Sequence, residues 1–557
     1  MKQPWWKKAT VYQIYPKSFY DTTGNGVGDL QGIIKKLDYL KELGIDVIWL
    51  TPIYSSPQND NGYDISDYYE IHEPYGTMED FESLLEEAHS REIKVIMDIV
   101  VNHTSTEHKW FKEACSAKDN PYRDFYIWKD ANPDGSEPNN WESKFGGSAW
   151  KLDEKTGQYY LHLFDVTQAD LNWENEKVRR EVYKMMNYWF EKGVDGFRLD
   201  VINLISKNQD FPNDSIGDGR KFYTDGPRVH EFLYEANREV FAKHDTMTVG
   251  EMSSTTIDHC INYSNPERNE LSMTFNFHHL KVDYANGDKW TVADFDFIKL
   301  KQILSEWQTE MYKGGGWNAL FWCNHDQPRI VSRYGDDGAY WKESAKMLAT
   351  TIHLMQGTPY IYQGEEIGMT NPKFQRIEDY RDVETLNAYK KMHEEGLSEE
   401  MIISILQEKS RDNSRTPVQW TSDLNAGFTE GIPWINVASN YKEINVERAL
   451  QDKDSLFYHY QKLIQLRKQY DLITYGEYEL ILNNHPRIFA YLRNGDNEKL
   501  LVVNNFYGKE TSFELPEEIQ LEGFTSEILI SNYSDSTSHF HHVRLRPYES
   551  IVYYLKK

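Results

Sequence analysis

Three acidic residues close apolar runs in this chain: Asp200 ends GFRLD, Glu251 ends TVGE and Asp326 ends FWCNHD. In a barrel of parallel strands, chemistry is done at the C-terminal ends of the strands, so acids at those ends are candidates for catalysis. Arg198 lies two residues before Asp200. Side chains two apart on a strand share a face, so a fixed cation there would keep Asp200 ionised. An ionised carboxylate beside a carboxylic acid that keeps its proton is the apparatus of glycoside hydrolysis, one attacking the sugar carbon and the other protonating the departing oxygen. Crowding and burial raise the proton affinity of at least one acid in such a group, and Glu251, with no arginine of its own in sequence, is the expected donor. Each acid taken alone could equally cap a helix; three at three strand ends favour the catalytic reading. His103 after DIVVN and His325 beside Asp326 also end strands, where an imidazole can donate to sugar hydroxyls.

The elements that must position these groups are legible as alternation. ATVYQIYPKSF, IDVIWLTPIY, KVIMDIVVNH, VDGFRLDVI, TMTVGEM, LSMTFNF, NALFWCNHD and TPYIYQGEEIGM are short apolar runs, with helical patterns such as LQGIIKKLDYLKELG and FESLLEEAHSRE between them. Eight such units close a (β/α)8 TIM barrel of the α/β class. Residues 104–175, rich in Trp, Asn, Gly and Asp, interrupt the alternation after the third strand, and a second departure runs from about 371 to 430. From about residue 478 the helical pattern gives way to strand-like pieces such as RIFAYLRN and SIVYYL. The expected organisation is therefore a barrel over 1–103 and 176–477, an inserted subdomain over 104–175, and a C-terminal all-β sandwich domain over 478–557.

Composition narrows the classes of partner. The chain has 557 residues and a formal net charge of -27, which excludes nucleic acid as a partner because phosphates need clustered Lys and Arg. No apolar run is long enough to span a bilayer, and the start MKQPWWKKAT lacks the apolar segment of a secretory signal, so a cytoplasmic location without membrane attachment is expected. Three widely spaced cysteines, Cys115, Cys260 and Cys323, offer neither a disulfide framework nor a zinc pattern.

DIVVNH, GFRLD, the Glu of VGEM and NHDQ, in this order and spacing, resemble the conserved segments of the alpha-amylase family, glycoside hydrolase family 13. The resemblance implies that Asp200 is the nucleophile, Glu251 the general acid/base and Asp326 the stabiliser of the distorted sugar, with Arg198, His103 and His325 assisting, and that no cofactor takes part in catalysis. NGYDISDY, residues 61–68, and SRDNSRTP, residues 410–417, look like the parts of exo-acting alpha-glucosidases that grip a terminal glucose; Asp64 with its neighbour Tyr63, and Arg411 with Arg415 as the alternative, are the matches. Val201, directly after Asp200, resembles the valine of oligo-1,6-glucosidases, which makes an enzyme for isomaltose-like sugars the competing expectation.

Two stretches fall outside these segments. DTTGNGVGDL offers oxygens from Asp21, Asn25 and Asp29 and the carbonyl of Val27, a spacing suited to a structural calcium, although a plain glycine-rich turn is the alternative. Thr23 stands where related exo-glucosidases often carry an asparagine. FNFHHLKVDY follows the sixth strand, next to the one that ends in Glu251, and so should face the leaving group. A neutral sugar needs no cation there. Lys281, helped by His278 or His279, is expected to hold a phosphate on the departing sugar, which makes the substrate a phosphorylated disaccharide. The bland alternative is a solvated lysine balancing Asp283.

Overall fold

The computed structural model describes residues 3–557. Eight strands form one sheet in the spatial order six, five, four, three, two, one, eight, seven. They are Val11–Ile14, Val47–Leu50, Lys94–Ile99, Gly196–Leu199, Met247–Glu251, Met273–Phe275, Ala319–Leu320 and Thr358–Tyr362. Every ladder is parallel, and a parallel bridge between Thr274 and Asn318 joins the sixth strand to the seventh and closes the barrel. The first, second, fourth, fifth and eighth strands are buried at every residue, as parallel strands covered on both faces must be, which is why they read as unbroken apolar runs. All eight apolar runs of the sequence contain one of these strands.

The covering helices carry their own start and stop signals. Met78–Ser90 opens with a capping box in which the Thr77 hydroxyl and the Asp80 side chain satisfy each other's backbone amides. Its buried stripe is Phe81, Leu84, Leu85 and Ala88, the three-and-four spacing of an amphipathic helix. Glu176–Lys192 is capped by Asn175 and ends at Gly193 with φ 107°, a left-handed turn that returns the chain into the fourth strand.

Between the third and fourth strands the chain leaves the barrel. His103–Ser105 pairs antiparallel with Gln168–Asp170, and Trp128–Asp130, Trp150–Asp153 and Gln158–Leu161 make a small antiparallel sheet. Its apolar core includes Trp141, Trp150 and Leu161, and it is completed by Val201, Leu204, Phe211 and Tyr223 from the long loop after the fourth strand. That loop is a further excursion, hidden in the sequence because its only regular structure is two 3-10 turns, Ile202–Leu204 and Arg220–Phe222. A buried ion pair, Lys207 Nζ to Asp170 Oδ2 at 2.8 Å, ties the two excursions together, with Asn102 Oδ1 2.9 Å from the same ammonium. After the eighth strand, helices Val383–Glu394, Glu399–Lys409 and Asp412–Arg415 pack as a further unit around Ile402, Leu406 and Ile435.

The C-terminal part contains a five-stranded antiparallel sheet, Glu477–Ile481, Ile488–Asn494, Glu498–Asn505, Ser550–Lys556 and Thr525–Ser531 in spatial order, and a two-stranded pair, Thr511–Glu514 with His542–Leu545. A separate apolar core containing Leu492, Val503, Phe513, Val543 and Tyr553 lies between them. Arg493 is wholly buried and donates to the carbonyls of Leu354, Ile473 and Gly476, which locks this sheet to the barrel without any carboxylate. Among the described residues no helix is long and apolar enough to cross a membrane.

Candidate active site

The C-terminal ends of the strands surround a cavity of about 240 Å³, lined among others by Asp60, Tyr63, His103, Asp200, Glu251, Lys281, Asp326 and Arg411. Residues from at least six separate stretches of chain therefore meet there. Asp200, Glu251 and Asp326 converge as the sequence led one to expect.

Arg198 organises the acids. Its Nη1 contacts Asp98 Oδ1 and Asp200 Oδ1, both at 2.7 Å, and its Nη2 reaches Glu251 Oε2 at 2.7 Å. The expectation that Glu251 has no arginine of its own is thus corrected: a planar guanidinium has donors on both arms, and the barrel's curvature brings the fifth strand within reach of the second arm. Asp98, on the third strand, is the member that sequence reading passed over, although it lies within the DIVVNH segment; Trp49 Nε1 and Tyr63 Oη also donate to it, at 3.1 and 3.0 Å. Burial pushes the carboxyl of Glu251 up to about 8, against the pull of Arg198, while the neighbouring Asp200 and Asp326 add to the rise. Burial also raises Asp200, to about 7, with Arg198 opposing it. A single cation cannot neutralise every acid around it, so the cluster retains a proton, and Glu251 holds it most tightly.

The backbone contributes to the same geometry. Val201 has φ 36° and ψ 39°, a left-handed conformation that a β-branched residue adopts only under constraint. That conformation aims its amide at Glu251 Oε2, 3.1 Å away.

Asp326 is held differently. Burial alone would raise its pKa, but the guanidiniums of Arg411 and Arg415 oppose burial and help to keep it well below the ordinary carboxylate range. Arg415 Nη2 lies 2.8 Å and Arg411 Nη1 3.4 Å from Asp326 Oδ1. Arg415 also donates to the His325 carbonyl at 2.8 Å and stands outside the cavity lining, whereas Arg411 is in it; of the two arginines expected to grip sugar, Arg411 faces the space. His325 stacks on Tyr63 with ring centroids 5.1 Å apart and planes 3° from parallel, and burial pulls its pKa down to about 3, so it is neutral. His103, also driven neutral by burial, to about 4, lines the cavity with Nε2 3.1 Å from the Tyr63 carbonyl.

Asp64 is not the aspartate of this wall. Its carboxylate accepts from the Ser56 hydroxyl at 3.0 Å and the amides of Asn59 and Asp60 at 2.8 and 3.0 Å, which folds the NDNGYD turn, and it has no exposure. Asp60, four residues earlier, takes the place: Oδ1 lies 3.0 Å from Arg411 Nη2 and Oδ2 accepts from Gln168 at 3.0 Å. The turn reverses the chain between the two aspartates, so sequence proximity to Tyr63 did not report which one points inward.

The same cavity is also lined by Lys281, Lys144 and Lys289. Lys289 is paired with Glu384 at 2.6 Å. Lys281 has no salt bridge among the described residues; Asp283, the neighbour that could have balanced it, is taken by Arg333 and Lys409, each at 2.8 Å. Lys144, from the inserted subdomain, has the Ser253 hydroxyl at 3.1 Å as its hydrogen-bond partner and no carboxylate. Desolvation draws its pKa down to about 7, with Arg220 and Lys281 adding repulsion. Lys144 of the insertion, on the cavity wall, and Arg220 of the loop after the fourth strand, paired with Asp218 at 2.9 Å in the groove outside it, were invisible to sequence reading, because only the packing of those two excursions on each other brings them there. The histidines expected to help do not line the cavity; burial pulls His278 and His279 down to about 4, and His279 Nε2 bonds the Phe321 carbonyl at 2.8 Å.

The oxygens of the Asp21–Asp29 loop are already engaged by hydrogen-bond donors. A calcium ion takes roughly six to eight oxygens with free lone pairs. Asp21 Oδ1 already accepts from Thr23 N, Thr23 Oγ1 and Gly24 N at 2.8, 3.1 and 2.9 Å, and Oδ2 from Gly26 N and Thr429 Oγ1 at 2.8 and 2.5 Å. Asp29 caps the following helix through Gly32 N and also accepts from Thr22 N, both at 2.7 Å, and Asn25 Oδ1 accepts from Val27 N at 2.8 Å. The donors come from the loop itself and from Thr429, so these residues as arranged do not fit a metal; they form a hydrogen-bonded turn. Gly26, at φ 87°, packs so closely on Ile432 that a Cβ would lie 1.8 Å from its carbonyl oxygen.

Comparisons with known proteins agree with this geometry. The family described as Alpha amylase, catalytic domain, matches residues 13–476, and the Alpha-amylase SusG C-terminal domain matches residues 488–552. The trehalose-6-phosphate hydrolase of Bacillus subtilis (strain 168) is 70% identical over 554 residues, covering 100% of this chain and 99% of that protein. The oligo-1,6-glucosidase of Parageobacillus thermoglucosidasius is 57% identical over 564 residues, covering 100% of both. The crystal structure of Bacillus licheniformis trehalose-6-phosphate hydrolase superposes with a TM-score of 0.97 at 72% identity, with 100% of each chain covered. With its closed eight-stranded barrel, its acids gathered at the strand ends and these matches over its length, the chain belongs to the alpha-amylase family of glycoside hydrolases.

Proposed function

We propose that this enzyme hydrolyses trehalose 6-phosphate to glucose and glucose 6-phosphate with retention of configuration. The observation that carries the reading is the pair of lysines, Lys281 and Lys144, facing the cavity of a strongly acidic protein without a carboxylate partner. The two ammonium groups repel one another, which helps to draw Lys144 down to about 7, and an anion entering between them relieves that repulsion. A phosphate on the departing sugar is such an anion. The relatives named trehalose-6-phosphate hydrolase support the assignment.

The unphosphorylated ring fits the wall made by Asp60, Tyr63 and Arg411, with its anomeric carbon toward Asp200. Asp200 attacks that carbon while Glu251 gives its proton to the bridging oxygen, and glucose 6-phosphate leaves on the lysine side. Glu251, now a carboxylate, takes a proton from water, which displaces the glucose from Asp200. One guanidinium touching both carboxylates suits the short separation, about 5 Å, that a nucleophile and acid/base need for this two-step course. Catalysis needs no metal in this scheme. A phosphorylated disaccharide does not cross membranes unaided, so the enzyme works inside the cell, where its three free cysteines stay reduced.

Val201 on the cavity wall keeps an α-1,6-glucosidase as the second reading. A parallel assay with trehalose 6-phosphate, trehalose and isomaltose decides: the phosphorylated sugar should have by far the highest kcat/KM, and preference for isomaltose selects the alternative.

A further inference from the structure

Resting on that reading, we infer that the glucosyl-enzyme also accepts sugar phosphates, so that the enzyme transfers glucose from uncharged donors onto hexose monophosphates. Other lysines near this region spend their charge on carboxylates: Lys289 on Glu384 at 2.6 Å, Lys207 on Asp170 at 2.8 Å and Lys409 on Asp283 at 2.8 Å. Lys144 and Lys281 do not, and Lys144 is tethered at 3.1 Å to Ser253, two residues beyond the acid/base Glu251. An anion held by this pair therefore remains beside Glu251 whether or not it is covalently joined to the glucose on Asp200.

Access to this side survives the first step. The catalytic cavity shares Lys144, Phe145 and Glu384 with an outer groove of about 930 Å³ that is also lined by Arg220, Trp290 and Lys391. Lys144 lines that groove whereas Asp60, Tyr63, Asp200 and Lys281 do not, so the cavity opens outward past Lys144. One sugar phosphate can leave, and another enter, while glucose stays on Asp200. Microscopic reversibility makes the departure site an entry site, and a bound acceptor displaces the water that would otherwise attack.

The step balances without a further reactant. A hydroxyl oxygen of the acceptor attacks the anomeric carbon, the bond from that carbon to the Asp200 carboxylate breaks, and Asp200 leaves as the free carboxylate. The hydroxyl proton passes to Glu251, which returns to its acid form. Nothing is oxidised or reduced, and the product is a phosphorylated disaccharide.

The test uses α-glucosyl fluoride as an uncharged donor, with glucose 6-phosphate or, in parallel, the same concentration of glucose, and mass spectrometry of early products. Transfer to glucose 6-phosphate should exceed transfer to glucose by about ten-fold or more, and Lys144→Ala or Lys281→Ala should bring the two acceptors together. Because the product is itself hydrolysed, the companion measurement incubates saturating trehalose 6-phosphate with labelled glucose 6-phosphate, whose label should enter the disaccharide pool. Equal transfer to both acceptors, or neither transfer nor label exchange while trehalose 6-phosphate is hydrolysed in preference to isomaltose, overturns this inference alone. Preference for isomaltose overturns the substrate reading beneath it.

Discussion

Asp60 and Arg411, 351 residues apart in the chain, meet at 3.0 Å on the wall of the catalytic cavity. The same guanidinium lies 3.4 Å from Asp326, so a carboxylate–arginine–carboxylate row runs along the wall proposed to hold the terminal glucose. Burial pushes Asp60 up to about 7, against Arg411, so its charge depends on that partner.

Replacing Asp60 by Asn should lower kcat/KM about 10²-fold, on trehalose 6-phosphate and on a neutral aryl α-glucoside alike, because both present the same glucose. Asp64→Asn should instead lower the melting temperature, since its carboxylate holds the turn through amides. Steady-state kinetics beside thermal melts separate the two; a larger kinetic loss in the Asp64 variant would reinstate Asp64 as the sugar ligand.

Lys281→Ala should raise KM for trehalose 6-phosphate about ten-fold or more while leaving the neutral aryl glucoside within about two-fold. Only the phosphorylated substrate loses a charge-assisted contact. Equal effects on the two substrates would remove Lys281 from the phosphate site.

Asp200→Asn should reduce kcat on every substrate by roughly four orders of magnitude or more with the fold retained by circular dichroism. Substantial residual turnover would overturn its assignment as nucleophile.

The pH dependence follows from which form of each acid is needed. Glu251 must be protonated to donate, and its pKa is raised to about 8, so kcat/KM for a neutral glucoside falls as pH rises through that value. Asp200 must be ionised, and burial raises it too, so the acid limb lies above the ordinary carboxylate range. Lys144, drawn down to about 7, loses its charge on the alkaline side, so the preference for trehalose 6-phosphate over the neutral glucoside should shrink as pH rises above 7. A preference independent of pH from 6 to 9 would exclude Lys144 from phosphate binding.

Chelation should leave the melting temperature within about 1 °C, because the carboxylates of the Asp21–Asp29 loop are satisfied by protein donors. Asp21→Ala, which strands those donors, should cost about 2 kcal/mol or more by denaturant titration. A large drop in melting temperature on chelation would show that the loop holds a cation after all.

The chain order of apolar runs determined the barrel, because burial on both faces leaves an unbroken apolar signature and the residue ending each run must lie at the catalytic rim. Asp200, Glu251, Asp326 and the cation at Lys281 were therefore legible one by one. Tertiary structure alone decided what each touches. Arg198 serves Glu251 as well as Asp200 only because neighbouring strands curve around one guanidinium, and Asp60 displaces Asp64 only because a tight turn reverses the chain between them. Lys144 and Arg220 belong to excursions without periodicity, and Lys144 reaches the cavity, with Arg220 in the groove outside it, only because those excursions share a core. Local pattern records which face of an element is buried; which distant charges share a cavity depends on contacts that no short stretch of sequence encodes.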